Sequence, residues 1–193
     1  MGTIDLAKEL DRGSHILIEV PQGFGLGINS GLEYPYVTSR EISISQALSD
    51  AQLHPSYLGC TLMSVRTYPI RVGHLYDKNN EMIGNSGPFF PDSKEKSWSE
   101  LGLQNEYTTT TKRIRRVATF SIIQYQQALR AIKPDYVFLN FVNYFKTFRD
   151  FDSLRSVMAS MGKAPEYFGI GPTTDDVYTF ARMDLAVKQL GWL

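Results

Sequence analysis

Four consecutive threonines, Thr108 to Thr111, run straight into Lys112, Arg113, Arg115 and Arg116. Side chains of these types at this spacing suit a multiply charged anion. A threonine hydroxyl is a short donor that can cap an oxygen, and an arginine guanidinium is a planar fork that meets carboxylate or phosphate at two points. A solvated basic loop would carry the same residues, so the run alone leaves both readings open. Lys and Arg together number 20, as do Asp and Glu, and the formal net charge is zero. Without a basic excess nucleic acid is not expected as a partner, and a mononucleotide or amino acid suits the local stripe better.

The elements that must position this run follow from periodicity and punctuation. The β-branched run His15 to Val20, closed by Pro21 and a Gly23–Gly27 loop, reads as a buried strand. Residues 40–52 read as helix, and 58–72 as strand broken by Pro69. Residues 77–93, rich in Asn and Gly, read as a polar surface connection. A short helix is expected over 97–103 and a longer one over 120–132, where apolar residues fall at 122, 125, 129 and 132. Lys133-Pro134-Asp135 stops it, and 136–142 reads as a second buried strand. A helix over 151–161, a strand over 166–170 and a terminal helix opened by Asp175 and Asp176 and reaching about Leu190 complete the chain. This alternation predicts an α/β fold with a largely parallel sheet flanked by helices. In such sheets ligands gather beyond the carboxyl ends of the strands. Gln22-Gly23, Val72-Gly73 and Asn143 are expected there, with the Thr/Arg loop folded over them.

At 193 residues, with 42% apolar and 12% aromatic side chains, the chain reads as one domain spanning 1–193. Cys60 is the single cysteine, which excludes an intrachain disulfide and a thiolate metal cluster and points to the cytoplasm. No signal pattern opens the chain and no apolar run reaches the ~20 residues of a bilayer span, so no membrane partner is expected.

Four segments in order resemble the later half of adenylosuccinate synthetase. They are Ile16-Leu-Ile-Glu-Val-Pro-Gln-Gly23, Gly31-Leu-Glu-Tyr-Pro-Tyr-Val-Thr-Ser39, Arg66-Thr-Tyr-Pro-Ile-Arg-Val-Gly73, and Asn105-Glu106 leading into the Thr/Arg run. The resemblance is clear over residues 14–146 and implies part of that family's fold. It also implies roles. Gln22 and Gly23 would meet the inosinate-type nucleotide, Thr38 and Ser39 its phosphate, and Val72 and Gly73 its ribose. Thr110 and Thr111 would grip aspartate, Arg113 would be shared between aspartate and nucleotide, and Arg115 would lie near the triphosphate donor. Asn143, Gly171 and Pro172 would line the donor-nucleotide pocket.

The sequence departs from the family's pattern in several places. The glycine between threonine and arginine is Lys112, which resists the positive φ a tight loop needs. Asn143 stands for an aspartate that accepts guanine's two donors, so that pocket reads as degraded. Val20 and Pro21 replace a small Gly-Ala pair. The family's Gly-Asp-Glu-Gly-Lys-Gly loop and Gly-His-Asn-Ala-Gly-His segment, which hold phosphates and Mg²⁺ and supply base and acid, do not occur among these residues. The resemblance therefore implies a catalytically incomplete synthetase-like protein, with no catalytic residue and no metal site of its own. It would bind a purine nucleotide, either IMP-, dIMP- or ITP-like or GMP-like, as a ligand-sensing or regulatory subunit of a complex. The alternative is one half of a split synthetase, active only with a partner chain, with Mg²⁺ entering only if that partner brings the phosphate loop. Either way a protein partner or a homo-oligomer is expected.

Overall fold

The structure, a computed structural model, describes residues 5–79 and 81–192. Residues 1–4 of the opening stretch, Asn80 within the polar connection and Leu193 lie outside the described residues. The central layer is a four-stranded sheet in the order β1 (Leu62–Arg66), β7 (Tyr136–Asn140), β8 (Tyr167–Gly169), β9 (Val177–Thr179). β1, β7 and β8 run parallel, and β9 adds an antiparallel edge on β8. Two smaller antiparallel sheets stand apart. One holds β2 (Ile70–Arg71), β6 (Arg116–Ala118) and β5 (Glu95–Lys96), and the other pairs β3 (Leu75–Tyr76) with β4 (Met82–Gly84).

Helices α4 (Ile122–Ile132), α5 (Phe148–Ser160) and α6 (Met183–Leu190) supply the second layer. Alternation along the strands sends Met63, Val137, Leu139 and Phe168 into one cluster with Tyr125, Ala128, Phe151, Met158, Met183 and Ala186 of these helices. The intervening residues face the other way. Leu62 is 53% exposed, Tyr136 and Val177 are exposed too, and Leu62, Phe138, Tyr167 and Val177 line an apolar depression of about 260 Å³. Parallel sheets are normally covered on both faces, so this open apolar face is unusual.

Capping follows the local sequence. Ser121 caps α4, and Asp92 accepts from its hydroxyl and from the amides of Ile122 and Ile123. The other helices are short: α1 (Leu6–Asp11), α2 (Ile44–Asp50) and α3 (Trp98–Leu101), the last closed by a capping box between Ser97 and Glu100.

Two expectations fail here. His15–Val20 is no strand and is not buried: it forms no ladder with any described residue, and Leu17 is 85% exposed. A β-branched run supplies propensity, but a strand also needs a neighbour to satisfy its amides. Asp175 and Asp176 do not open the last helix. They end a single tight turn, Thr174–Asp176, in which the Asp176 carboxylate accepts from the amide and hydroxyl of Thr173, and the chain then enters β9. The helix starts later, at Met183. The break at Pro69 is real and sharper than expected, since β1 and β2 lie in different sheets.

Candidate functional site

The Thr/Arg run folds as a hairpin. The Arg115 amide donates to the Glu106 carbonyl at 2.8 Å, Tyr107 bridges Ile114, and the Thr108 amide donates to the Arg113 carbonyl at 2.8 Å. Buried Thr108 closes the tip from inside. Its hydroxyl lies 2.6 Å from that of Thr111 and accepts from the Arg113 amide at 3.0 Å. Thr111 is therefore held by its neighbour, while Thr110 is exposed at the tip.

Lys112 takes φ +52°, the left-handed geometry that a lysine resists. The tight loop forms despite the missing glycine, held by the Thr108 bonds. Strand alternation puts Arg113 and Arg115 on one face of the hairpin, and neither forms an ion pair with a described residue. Arg116 differs. Its guanidinium is spent on the Glu95 carboxylate, the Ser86 hydroxyl and the Gly87 carbonyl, and this pairing holds Glu95 below the usual carboxylate range. It belongs to the scaffold.

Gly73 sits against this hairpin. A Cβ at Gly73 would collide with the Ile114 carbonyl oxygen and reach Arg113 Cβ at 3.6 Å. The structure thus brings Val72-Gly73 and Arg113 together. Arg71, one residue earlier, is committed to the carbonyls of Ser86 and Tyr36. Through Tyr36 it ties this corner to the 34–39 segment.

Gln22, Thr38 and Ser39 come together elsewhere, in the wall of a groove of about 610 Å³ between the 16–22 segment and α2. Gln22 adopts φ +72° as the chain turns into Gly23, whose carbonyl accepts from the Leu26 amide. Thr38 spends its hydroxyl locally, donating to the Arg40 carbonyl at 2.9 Å and accepting from the Arg40 amide at 3.2 Å. A phosphate contact there requires the hydroxyl to exchange that carbonyl for the ligand. Ser39 is exposed beside it, and Arg40, paired with Asp50 at 2.5 Å, also lines the groove. Arg113 is not among the residues lining this groove.

The hub of the 27–42 loop is Glu41. Its carboxylate accepts from the Ser30 hydroxyl and from the amides of Asn29, Ser30 and Ile42, and the Ser30 hydroxyl leads in lowering its pKa. Gly27 lies so close that any side chain there would strike the carboxylate.

Asn143 occupies the turn Val142–Tyr144 after β7, and Gly171-Pro172 follow β8, so both lie at the carboxyl edge of the parallel strands. Asp176 packs onto Gly171 where a Cβ would be. Of the three motifs expected beyond parallel strands, only Asn143 is there. Val72-Gly73 leaves a strand of an antiparallel sheet, and no strand precedes Gln22. Sequence reasoning also missed Tyr144 and the part played by Arg66, which opens the Arg66–Gly73 motif. Arg66 pairs with Glu106, and Tyr144 donates to the same carboxylate at 2.7 Å. His74 accepts the Ser86 amide at 3.1 Å, and burial leads in lowering its pKa. Among the described residues no three His, Cys, Asp or Glu side chains gather as metal ligands, and no helix is long and apolar enough to cross a membrane.

An α/β layer with a cationic, threonine-tipped hairpin beside Gly73 and an amide at the sheet's carboxyl edge defines the class. The family model for adenylosuccinate synthetase matches residues 3–154, and the chain belongs to that family. It is 42% identical over 175 residues to N6-succino-2-amino-2'-deoxyadenylate synthase of Salmonella phage PMBT28, covering 84% of this chain and 46% of that protein. Against the synthase of the same name from Acinetobacter phage SH-Ab 15497 it is 38% identical, covering 88% and 44%. Among solved structures, cyanophage S-2L succinoaminodeoxyadenylate synthetase (PurZ), bound to dGMP and to dATP as energy donor, superposes with TM-score 0.77 at 34% identity, over 88% of this chain and 48% of that one. Adenylosuccinate synthetase from Plasmodium falciparum shares the fold at TM-score 0.72 and 18% identity, covering 90% of this chain and 52% of that one. The chain spans about half the length of the relatives it matches.

Proposed function

We propose that this chain is the half of a purine-nucleotide–aspartate ligase that recognises the acceptor nucleotide and aspartate. It works with a second half that carries the phosphate-activating groups. The acceptor is of the deoxyguanylate type. The phage relatives bear the name of a synthase of a 2-amino-2'-deoxyadenylate, and the cyanophage structure contains dGMP and dATP. In the proposed reaction the donor triphosphate phosphorylates the purine 6-oxygen, the aspartate amine attacks C6, and that oxygen leaves with phosphate. This chain's part is positioning and charge. Arg113 and Arg115 meet the anionic groups, Thr110 and Thr111 face the aspartate carboxylate, Gln22 takes the purine edge, and Thr38 and Ser39 hold the phosphate.

The observation that carries this reading is the contact between Gly73 and the hairpin. It sets a nucleotide-motif backbone directly beside an arginine that has no ion-pair partner among the described residues. The open apolar sheet face and the unpaired His15–Val20 run favour a second half that covers them.

One observation favours a second reading. Lys112, seated in the left-handed position, adds a cation to the tip. That suits a ligand-sensing subunit, which needs affinity for the nucleotide and no turnover. Mixing the full chain with the amino-terminal half of the Acinetobacter phage synthase, together with dGMP, aspartate, dATP and Mg²⁺, separates the two. Product formed only in the mixture supports the split ligase. Tight dGMP binding without product supports sensing, and absence of both removes the two readings together.

A further inference from the structure

Glu106 ties three parts of the site together and takes no part in the proposed ligand contacts. Its carboxylate joins Arg66 at the carboxyl end of β1 to the Tyr144 hydroxyl, 2.7 Å away in the turn that carries Asn143. Its backbone carbonyl meanwhile accepts the Arg115 amide at the base of the hairpin. Each anchor is itself fixed. The Arg66 guanidinium lies 3.6 Å above the centre of the Phe141 ring and donates to the Tyr68 carbonyl. Phe141 stands at φ +62°, and its carbonyl takes the hydroxyl of fully buried Thr67 at 3.0 Å. Burial first, and then the bond to Glu106, push the Tyr144 phenol up to about 12, so it remains a donor throughout the physiological range. Trp98, buried to 3% exposure, meets the Tyr144 ring edge-on and donates its indole N–H to the Arg115 carbonyl at 2.7 Å.

The base of the hairpin is therefore gripped from both strands: Glu106 and Trp98 tie it to the β1–β7 edge and the 142–144 turn, while Arg116 and β6 tie its second strand to β5 and β2. The tip has fewer ties: Arg113 is exposed, its backbone is hydrogen-bonded only to Thr108, and Gly73 packs beside it. We infer that Glu106 is a positioning residue: it fixes the hairpin bearing Arg113 and Arg115 to the wall bearing Asn143, so that the two nucleotide-facing regions keep one geometry. This rests on the functional reading above for its consequence, though not for its mechanics. Replacing the carboxylate by an amide removes the charge that strengthens both bonds, weakens its hold on Arg66 and Tyr144 and loosens the first strand of the hairpin, so Arg113 loses its aim while the sheet core stays intact.

The test is carried out on the full chain with Glu106→Gln, with Tyr144→Phe as the milder variant, each alone and combined with Arg113→Ala. Amide hydrogen exchange at Thr108 and Arg115 is expected to quicken at least tenfold in Glu106→Gln and about threefold in Tyr144→Phe. The amides of Val137 and Leu139 should be unchanged. In calorimetric titration with dGMP, Glu106→Gln should lose about tenfold in affinity, and the double variant with Arg113→Ala should bind within twofold of Arg113→Ala alone. A side chain with a merely structural role would give losses that multiply. Unchanged exchange at the hairpin, or multiplied losses, would overturn the inference. If the wild-type chain fails to bind dGMP, the functional reading falls and hydrogen exchange decides the positioning role. If Glu106→Gln does not fold, the Tyr144→Phe measurements decide it.

Discussion

The molecule holds its two halves of the candidate site by different means. Around residues 62–66 and 120–192, strands and helices bury a shared apolar cluster with Val137, Leu139, Phe151, Met158 and Phe168 fully enclosed. Around residues 15–42 the chain has almost no enclosed side chain: the segment is organised by the Glu41 carboxylate, the turn at Thr38 and the close approach of Gly27. Asn143, beside buried Val142, rests on the first kind of support, the base of the Thr/Arg hairpin is bonded to it through Glu106, and Gln22, Thr38 and Ser39 rest on the second. A core that excludes water defines its geometry through packing, whereas a loop built on exposed hydrogen bonds exchanges with solvent and opens locally. The 15–42 side is thus the region whose shape a ligand or a covering partner would complete, and the sheet edge is the region already formed without one.

Several substitutions break or sharpen this contrast. Phe151→Ala removes a fully buried ring and leaves a cavity. It should cost about 3–5 kcal/mol in thermal or denaturant unfolding, and an unchanged melting temperature would show that the packed region is not what stabilises the chain. Glu41→Ala should leave that melting temperature nearly unaltered while amide exchange at Asn29, Ser30 and Ile42 rises at least tenfold. If it unfolds the whole protein, the two regions form one cooperative unit and the contrast disappears. Lys112→Gly relieves a side chain held at positive φ. It should stabilise the hairpin by up to about 1 kcal/mol, seen as slower exchange at Thr108, whereas faster exchange would mean that the lysine itself braces the tip. The smallest effect concerns His74. Its folded pKa is lowered, so the contribution of the neutral ring accepting the Ser86 amide is complete above about 6.5, the ordinary histidine value. That contribution is lost as pH falls through the lower folded value. Stability measured between pH 7 and 5 should fall less steeply in His74→Gln, and identical profiles would remove the assignment.

Much of the packed region was legible in the sequence, and the physical reason is local. The stripe at 122, 125, 129 and 132 specifies α4 because a helix face repeats at that spacing, and Lys133-Pro134 stops it where Lys133 takes a left-handed cap at φ +46°. The apolar run from Tyr136 needs no distant information to read as a strand, but within β7 only Val137 and Leu139 are buried, because the other face of that strand is left open. His15–Val20 misled because strand propensity says nothing about whether a ladder partner is present. Asp175 and Asp176 misled because carboxylates that favour a helix start equally favour a tight turn, and it is the pairing of β9 with β8 that decides.

The segment 106–115 was legible as a loop dense in hydroxyls and cations but not as a hairpin, since four threonines hide the alternation of Tyr107 with Ile114. The Glu106 strut was least legible of all: it joins residues 40 and 38 positions apart, through Arg66 and Tyr144. No local pattern marks it.

The most direct measurement is a calorimetric titration of the wild-type chain with deoxyguanylate, alongside Arg113→Ala and Gln22→Ala. If the groove wall and the hairpin hold one nucleotide between them, the wild type binds and each substitution weakens binding by more than tenfold, or about 1.4 kcal/mol. Equal affinity in all three proteins would place the nucleotide, if it binds at all, away from both regions and contradict the account.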